Sequence, residues 1–340
     1  MEILKHIAPI RCQVCSANNG LPASLLSAAE PVVLKDYVLH WPVVSAAKQG
    51  NAALQKLLLS YYNEALVHTM RAPIEGTEQA AGKLFYNEDL SGFNFSRARE
   101  SLSTVFSQLN DTEHSAQETI YVGSTAVDSV MPGLRDANDL AFLRNKALAS
   151  IWMGNQTRIA AHYDAPDNIA CVVGGTRRFI LFPADQLRNL YVGPIDFTPA
   201  GQPASLVDFY SPDFDKFPRF KCALQAAQYA ELGPGDAIYI PPNWWHHVEA
   251  LSPFNVLINY WWRQVDDHVG VPNDALLHAI LAIKSLPKPQ RDAWREIFDY
   301  YVFGDHDFSH IPTRVQGLIG ELSPDNARKI RTILLNKINR

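Results

Sequence analysis

A mainly β fold with flanking helices is what this chain of 340 residues predicts. Two observations carry the prediction. From "ETIYVGSTAV" onward, short β-rich runs alternate with Gly, Pro, Asn and Asp punctuation, among them "NIACVVGG", "RRFILFP", "DAIYIPP", "HHVEAL" and "FNVLINYWW". Before and after that region the apolar residues recur at helical spacing. Many short strands bounded by turn signals point to a sandwich or barrel rather than a parallel sheet alternating with helices.

In chain order, "PVVLKDYVLHWPVV" reads as a short strand followed by a turn into a Trp-Pro pair. "AALQKLLLSYYNEAL" has helical spacing, with Leu54, Leu57 and Leu58 on one face. "NFSRARESLSTVFSQLN" reads as another helix, with Leu102, Val105 and Leu109 three and four apart. After about residue 265 the β texture stops, and "NDALLHAILAIKSL" and "QRDAWREIFDYYVF" read as helices. The last helix has a clear start in Ser323 as N-cap and Pro324 at the first helical position. Its Ala327, Ile330, Leu334 and Ile338 share a face, which either packs on the parent domain or forms a dimer interface. The expected organisation is a mixed α/β segment over residues 1–115, a β core over 116–265 and helices over 266–340.

Bulk composition narrows the function classes. Hydrophobic residues make up 47% and charged residues 19%, ample material for a core. A formal net charge of -5 gives no general reason to expect nucleic-acid binding. The N-terminal residues lack the pattern of a secretory signal, and no apolar run reaches the roughly 18 residues of a membrane span, so a cytoplasmic protein without membrane partners is expected. Cys12 and Cys15 form a CxxC that no second cysteine pair or histidine pair completes, and Cys171 and Cys222 read as buried filler.

The chemistry concentrates in "TRIAAHYDAPDN". Residues i and i+2 of a strand project to one side, so His162 and Asp164 point together while Tyr163 points away. Alone the pair fits either two ligands of one metal or two polar residues at a strand end. "GPGDAIYIPPNWWHHVEAL" adds a tight turn, an apolar strand, a Pro-Pro break and two histidines. A nitrogen ligand from there would complete a two-His-one-carboxylate face, which leaves about three positions open and suits ferrous iron. Alternation groups His246 with Val248 and Ala250 on an inward face, and His247 with Glu249 on a polar or solvated one, so His246 is the preferred ligand and His247 an outer hydrogen-bonding residue.

Together "AHYDAPDN", "GDAIYIPPNWWHHV" and "NYWW" resemble the JmjC-type, cupin-like family of iron- and 2-oxoglutarate-dependent oxygenases, nearest to the branch of the asparaginyl hydroxylase that inhibits hypoxia-inducible factor. The spacing of Gly235, Pro241 and His246 is similar to the second motif of cupins generally. The resemblance covers roughly residues 25 to 265. It implies a double-stranded β-helix, or jelly roll, holding Fe(II) through His162, Asp164 and His246, with 2-oxoglutarate as cosubstrate. It further implies that Asn168, Asn259 and Tyr121 lie near that cosubstrate, with Trp261 beside the pocket. The C-terminal helices resemble in placement the dimerising helices of that branch. Two positions depart from it. Arg177 stands where the branch has a Lys for the distal carboxylate, and Ile159 stands where it has a Thr. A guanidinium grips a carboxylate in a different geometry from an ammonium, and the lost hydroxyl calls for compensation by Arg158 or Arg178, or for a different acid.

Three readings follow. One is a hydroxylase acting on a protein, peptide or amino-acid-like side chain, and a second is a metal enzyme of the same fold with another small-molecule substrate or cosubstrate acid. The third is a binding or assembly protein with a vestigial metal site, against which the intact His162/Asp164/His246 set argues.

Overall fold

The computed structural model of the chain describes residues 2–15, 17, 20–74 and 82–338. Its strands are β1 (Ala8–Pro9), β2 (Cys12–Val14), β3 (Val32–Lys35), β4 (Val67–Pro73), β5 (Lys83–Leu84), β6 (Ser96–Glu100), β7 (Glu118–Ala126), β8 (Leu148–Gly154), β9 (Thr157–Tyr163), β10 (Asp167–Gly174), β11 (Arg177–Phe182), β12 (Gln228–Leu232), β13 (Ala237–Ile240), β14 (Trp245–Ala250) and β15 (Asn255–Trp262). They form a six-stranded sheet in the order β1-β12-β11-β14-β9-β5 and a nine-stranded sheet in the order β2-β3-β13-β10-β15-β8-β7-β4-β6. At the centre, β8 to β15 divide evenly, four strands to each sheet, as in a jelly roll.

Strand β10 shows why this arrangement forms. Every one of its residues is buried, which requires cover on both faces. Ala170 and Val172 join Phe179, Leu181, Ile238 and Ile240 between the sheets. Ile169, Cys171 and Val173 turn outward into a cluster with Trp41, Leu54, Leu58, Val105 and Phe106. Those outer residues come from the helices Asn51–Tyr61 and Leu102–Asn110 and from the residue that precedes helix Pro42–Gln49. At Gly235 the backbone adopts φ +105, and a Cβ would approach Leu39 to 3.0 Å, so glycine suits the turn into β13. Asp236 fixes that turn by accepting from the Gly233 amide at 3.1 Å and from Lys35 Nζ at 2.8 Å.

Several expectations need correction. The segment expected as one helix from Asn94 splits: Ser96–Glu100 is strand β6 paired with β4, and the helix begins only at Leu102. Ser101 makes the break, its Oγ accepting from the Thr104 amide at 3.1 Å as an N-cap. Cys171 is buried as expected, but Cys222 is exposed.

The chain divides into two compact units, Met1–Arg263 and Gln264–Arg340. In the second, helix Pro324–Ile338 starts as its sequence requires: Ser323 Oγ accepts from the Asn326 amide at 3.2 Å. Of the apolar face expected to be buried, only Ala327 is, while Leu334 and Ile338 are exposed. Helix Pro272–Ile283 has no buried residue. No helix among the described residues is long and apolar enough to cross a membrane.

Candidate metal centre

Strands β9 and β14 run antiparallel in the six-stranded sheet, with His162 directly opposite His246. The next register pair is Ile159 with Val248, so β9 spends one more residue than β14 over that interval. This bulge at Ala160 and Ala161 breaks strict alternation. Ile159 and His162, three apart in sequence, consequently line one cavity together with His246 and Val248.

The two imidazoles are set alike. His162 Nδ1 lies 2.9 Å from the Ala160 carbonyl and His246 Nδ1 lies 3.0 Å from that of Trp244. A carbonyl can only accept, so each Nδ1 carries the proton, and the Nε2 lone pair is left available. Burial, reinforced by the adjacent His246 ring, pushes His162 down to about 4, which keeps it neutral near pH 7. Asp164 follows the end of β9, its carbonyl accepting from the Asn243 amide at 2.8 Å. Burial would raise its carboxyl, but the two histidines and Trp261 hold it below the usual range. Trp261 Nε1 donates to Asp164 Oδ2 at 3.1 Å. Ligand atoms of His162, Asp164 and His246 all lie within 4.8 Å of one another. Two imidazoles with Nε2 turned to the site and one carboxylate, each oriented by a second partner, fit a divalent metal of the ferrous type.

The cavity has a volume of about 500 Å³ and lies between the two sheets. Besides the three possible ligands, Tyr121, Asn168, Arg177, Asn259 and Trp261 all line it. Arg177 is 2% exposed, and among the described residues its Nε has no hydrogen-bond partner. Burial lowers its pKa, opposed by the Tyr121 hydroxyl, with which it interacts. Burial likewise pushes that hydroxyl up to about 12. Asn259 is largely engaged by the protein itself, accepting from Trp152 Nε1 at 2.7 Å and donating to Asn168 Oδ1 at 3.1 Å. It therefore acts on the cavity by orienting Trp152 and Asn168. Ile159 lines the cavity and brings no hydroxyl.

The polar face of β14 is not solvated. His247 and Glu249 are both buried, because the Phe209–Tyr210 segment folds over them. Phe209 stacks on His247 with centroids 4.7 Å apart. Glu249 accepts from His247 Nε2 at 3.0 Å, Arg178 at 2.8 Å and Tyr210 Oη at 3.1 Å. Burial alone would raise the Glu249 carboxyl, yet His247 and Arg178 hold it below its ordinary value. Nor do Arg158 and Arg178 compensate for Ile159. Arg178 is paired with Glu249 and Glu231, and Arg158 lies 4.1 Å from the Tyr210 ring centroid. Neither lines the cavity.

Sequence reasoning missed Trp152, Met70, His68 and Arg97, which also line the cavity. Apolar alternation in β8 could have marked Trp152. The other three become visible only through the register of β4 and β6 with β7.

Comparisons with known proteins agree with this geometry. The chain is 34% identical over 132 residues to "Lysine-specific demethylase JMJ31" of Arabidopsis thaliana, a match covering 38% of this chain and 24% of that protein. It is 30% identical over 155 residues to human "HSPB1-associated protein 1", covering 44% and 31% respectively. To "Jumonji C domain-containing protein 5" of Drosophila melanogaster it is 25% identical over 246 residues, covering 69% and 55%. The matches thus span about a quarter to a half of these relatives' lengths. Residues 19–268 match the family described as "Cupin-like domain", and with a jelly-roll core around a His-Asp-His cluster the chain belongs to that cupin-like, JmjC-type family.

Proposed function

We propose that the chain is a non-haem Fe(II)- and 2-oxoglutarate-dependent dioxygenase that hydroxylates a protein, peptide or amino-acid-like side chain, with release of succinate and carbon dioxide. One observation carries the reading. A single cavity is lined by two imidazoles and a carboxylate at metal-binding separation and by a buried guanidinium whose Nε has no partner among the described residues. The family's chemistry needs both features.

His162, Asp164 and His246 would hold the iron, which when bound supplies oxygen activation coupled to oxidative decarboxylation of the acid. Trp261 keeps one Asp164 oxygen engaged and so limits how the carboxylate turns. Arg177 receives the distal carboxylate of the acid. A buried cation is costly without a counter-charge, and a carboxylate that gives it one gains charge-assisted hydrogen bonds. Tyr121 adds a hydroxyl beside that guanidinium, and Asn168 adds an amide oriented by Asn259. Phe179, Leu257 and Val248 line the cavity with hydrocarbon and exclude water from it. Ile159 supports a second reading, in which another acid takes the place of 2-oxoglutarate, because it contributes no hydroxyl to the lining.

Succinate release with Fe(II), 2-oxoglutarate and no added substrate tests the assignment. Turnover is expected in the native chain and lost in Asp164→Ala with the circular dichroism spectrum unchanged. Metal binding without any succinate, across a panel of 2-oxo acids, would leave only a binding role. We further propose that the unit Gln264–Arg340 pairs two copies of the chain. Leu281 at 75% and Phe303 at 73% exposure supply apolar surface for it.

A further inference from the structure

The nine-stranded sheet ends at β6, and among the described residues no strand pairs with the far side of that edge. Register places Arg97 opposite Met70, which is in turn opposite Tyr121. Arg99 stands opposite His68. This face of the sheet therefore runs outward from the cavity, and Arg97, Met70 and His68 all line the cavity.

Charge is distributed unevenly across this strand pair. On the other face, Arg71 is bound by Glu100 at 2.8 Å and also by Glu118. On the cavity face, Arg97 and Arg99 are both exposed, and among the described residues no carboxylate forms an ion pair with either. Arg97 is nonetheless held in place. It donates to the Pro199 carbonyl at 2.8 Å and lies 5.1 Å and 5.4 Å from the ring centroids of Phe93 and Phe95. A guanidinium fixed by a carbonyl and two rings keeps N–H groups available and loses little freedom when it binds an anion. Among the described cavity-lining residues the only carboxylate is Asp164, a possible metal ligand.

We infer that the substrate of this site is an acidic peptide segment that adds to the free edge of β6 as an extended strand and sets its carboxylates against Arg97 and Arg99. The inference rests on the oxygenase reading above only in calling the peptide a substrate. An extended peptide presents alternate side chains to one face at a repeat of about 7 Å, which matches the separation of Arg97 and Arg99. The edge offers backbone hydrogen bonds for affinity, as in other strand-addition complexes. A lone small anion would use one guanidinium and leave both the second arginine and the edge unexplained. Nucleic acid is disfavoured by the net charge of -5 and by a face on which β6 contributes two arginines. A lysine side chain as target would meet cations at the mouth.

Fluorescence anisotropy of the full chain, without metal or cosubstrate, tests this with three labelled probes: an alternating Glu-Thr peptide, its Gln-Thr counterpart and oligo-dT. The Glu-Thr peptide is expected to bind, with affinity about tenfold lower in Arg97→Gln and lower still in Arg97→Gln/Arg99→Gln. Thermal melting and Mn(II) titration should be unchanged in both variants, which separates lost recognition from lost folding. Equal binding of the Gln-Thr peptide, indifference to Arg97→Gln, or tighter binding of oligo-dT would overturn the inference. Competition by free glutamate at the concentration that suffices for the peptide would also overturn it, in favour of a small anion. Failure of the oxygenase reading would show instead as absent succinate release with peptide binding intact.

Discussion

His162 and His246 face each other across the β9–β14 ladder with ring centroids 4.3 Å apart, each tied through Nδ1 to a carbonyl two residues earlier in its own segment. Both rings are thereby held by the backbone of one sheet. The carboxylate that completes the set depends instead on a side chain from the other sheet, the Trp261 indole on β15. The three candidate ligands should therefore respond differently to substitution of their supports.

Trp261→Phe removes the N–H that binds Asp164 Oδ2 and keeps most of the ring. Loss of such an outer partner weakens metal binding by about ten- to a hundredfold. Mn(II) titration followed by paramagnetic resonance would measure it, and the same titration on Asp164→Ala should show the site lost.

Arg177→Met should separate the acid from the metal. The substitution removes the buried guanidinium from the cavity lining and leaves His162, Asp164 and His246, the candidate metal ligands, in place. The KM for 2-oxoglutarate should rise by about tenfold or more, since a charge-assisted hydrogen bond contributes about 1.5–3 kcal/mol. Mn(II) affinity should stay within a small factor of the native value. An unchanged KM would move the acid-binding role away from Arg177.

Glu249→Ala leaves Arg178 and His247 without their shared acceptor beneath the Phe209–Tyr210 segment. Arg178 keeps Glu231, so the expected loss is that of hydrogen bonds to a buried charged acceptor, about 1.5–3 kcal/mol. Urea denaturation read by tryptophan fluorescence should show that loss. Arg178→Met/Glu249→Met should recover part of it, because both partners of that pair are then replaced by hydrocarbon.

Acid sensitivity should have one traceable source in Glu100. Its carboxyl is held below the ordinary value, chiefly by the Arg71 hydrogen bond, against the opposing effect of burial. A depressed folded-state pKa stabilises the fold above the unfolded value of about 4.3 and loses that contribution as pH falls through the folded value. Stability measured by urea titration from pH 6 downward should therefore fall less steeply in Glu100→Gln, with the two curves converging at the acid end.

Light scattering addresses the C-terminal unit. The native chain should elute at twice the mass of one copy, and Leu281→Asp/Phe303→Asp should elute at the mass of one. A native chain already at single mass would remove the pairing role from this unit.

Much of the site could be read from strand periodicity. His162 and Asp164 sit at i and i+2 beside the end of a strand, and His246 follows a turn and a Pro-Pro break, so local pattern singled out all three as candidates, and joining the two distant segments took the family resemblance. The β9 bulge was not. It depends on the register with β14, and strict alternation would have set Ile159 and His162 on opposite faces. Alternation also grouped His247 with Glu249 correctly, but not what covers them. That cover comes from Phe209 and Tyr210, some forty residues upstream and in another part of the fold. The helix expected from Asn94 failed for the same reason: Ser96–Glu100 is drawn into a strand by pairing with β4, a tertiary effect that local spacing cannot report.

The division of labour between the sheets bears on how such a chain can diverge. His162 and His246 stand on one pair of neighbouring strands and Asp164 follows the end of one of them, whereas Tyr121, Asn168 and Asn259 come from the opposite sheet and Arg97 from its far edge. Substitutions around Arg97 on the nine-stranded sheet can therefore change what approaches the cavity mouth while the β9–β14 ladder keeps its register, whereas Arg177, on β11 beside β14, ties a change at the acid end to the sheet that carries the histidines. Trp261 reaches from that sheet to the Asp164 carboxylate, and it is a position at which a change of guest would disturb the host.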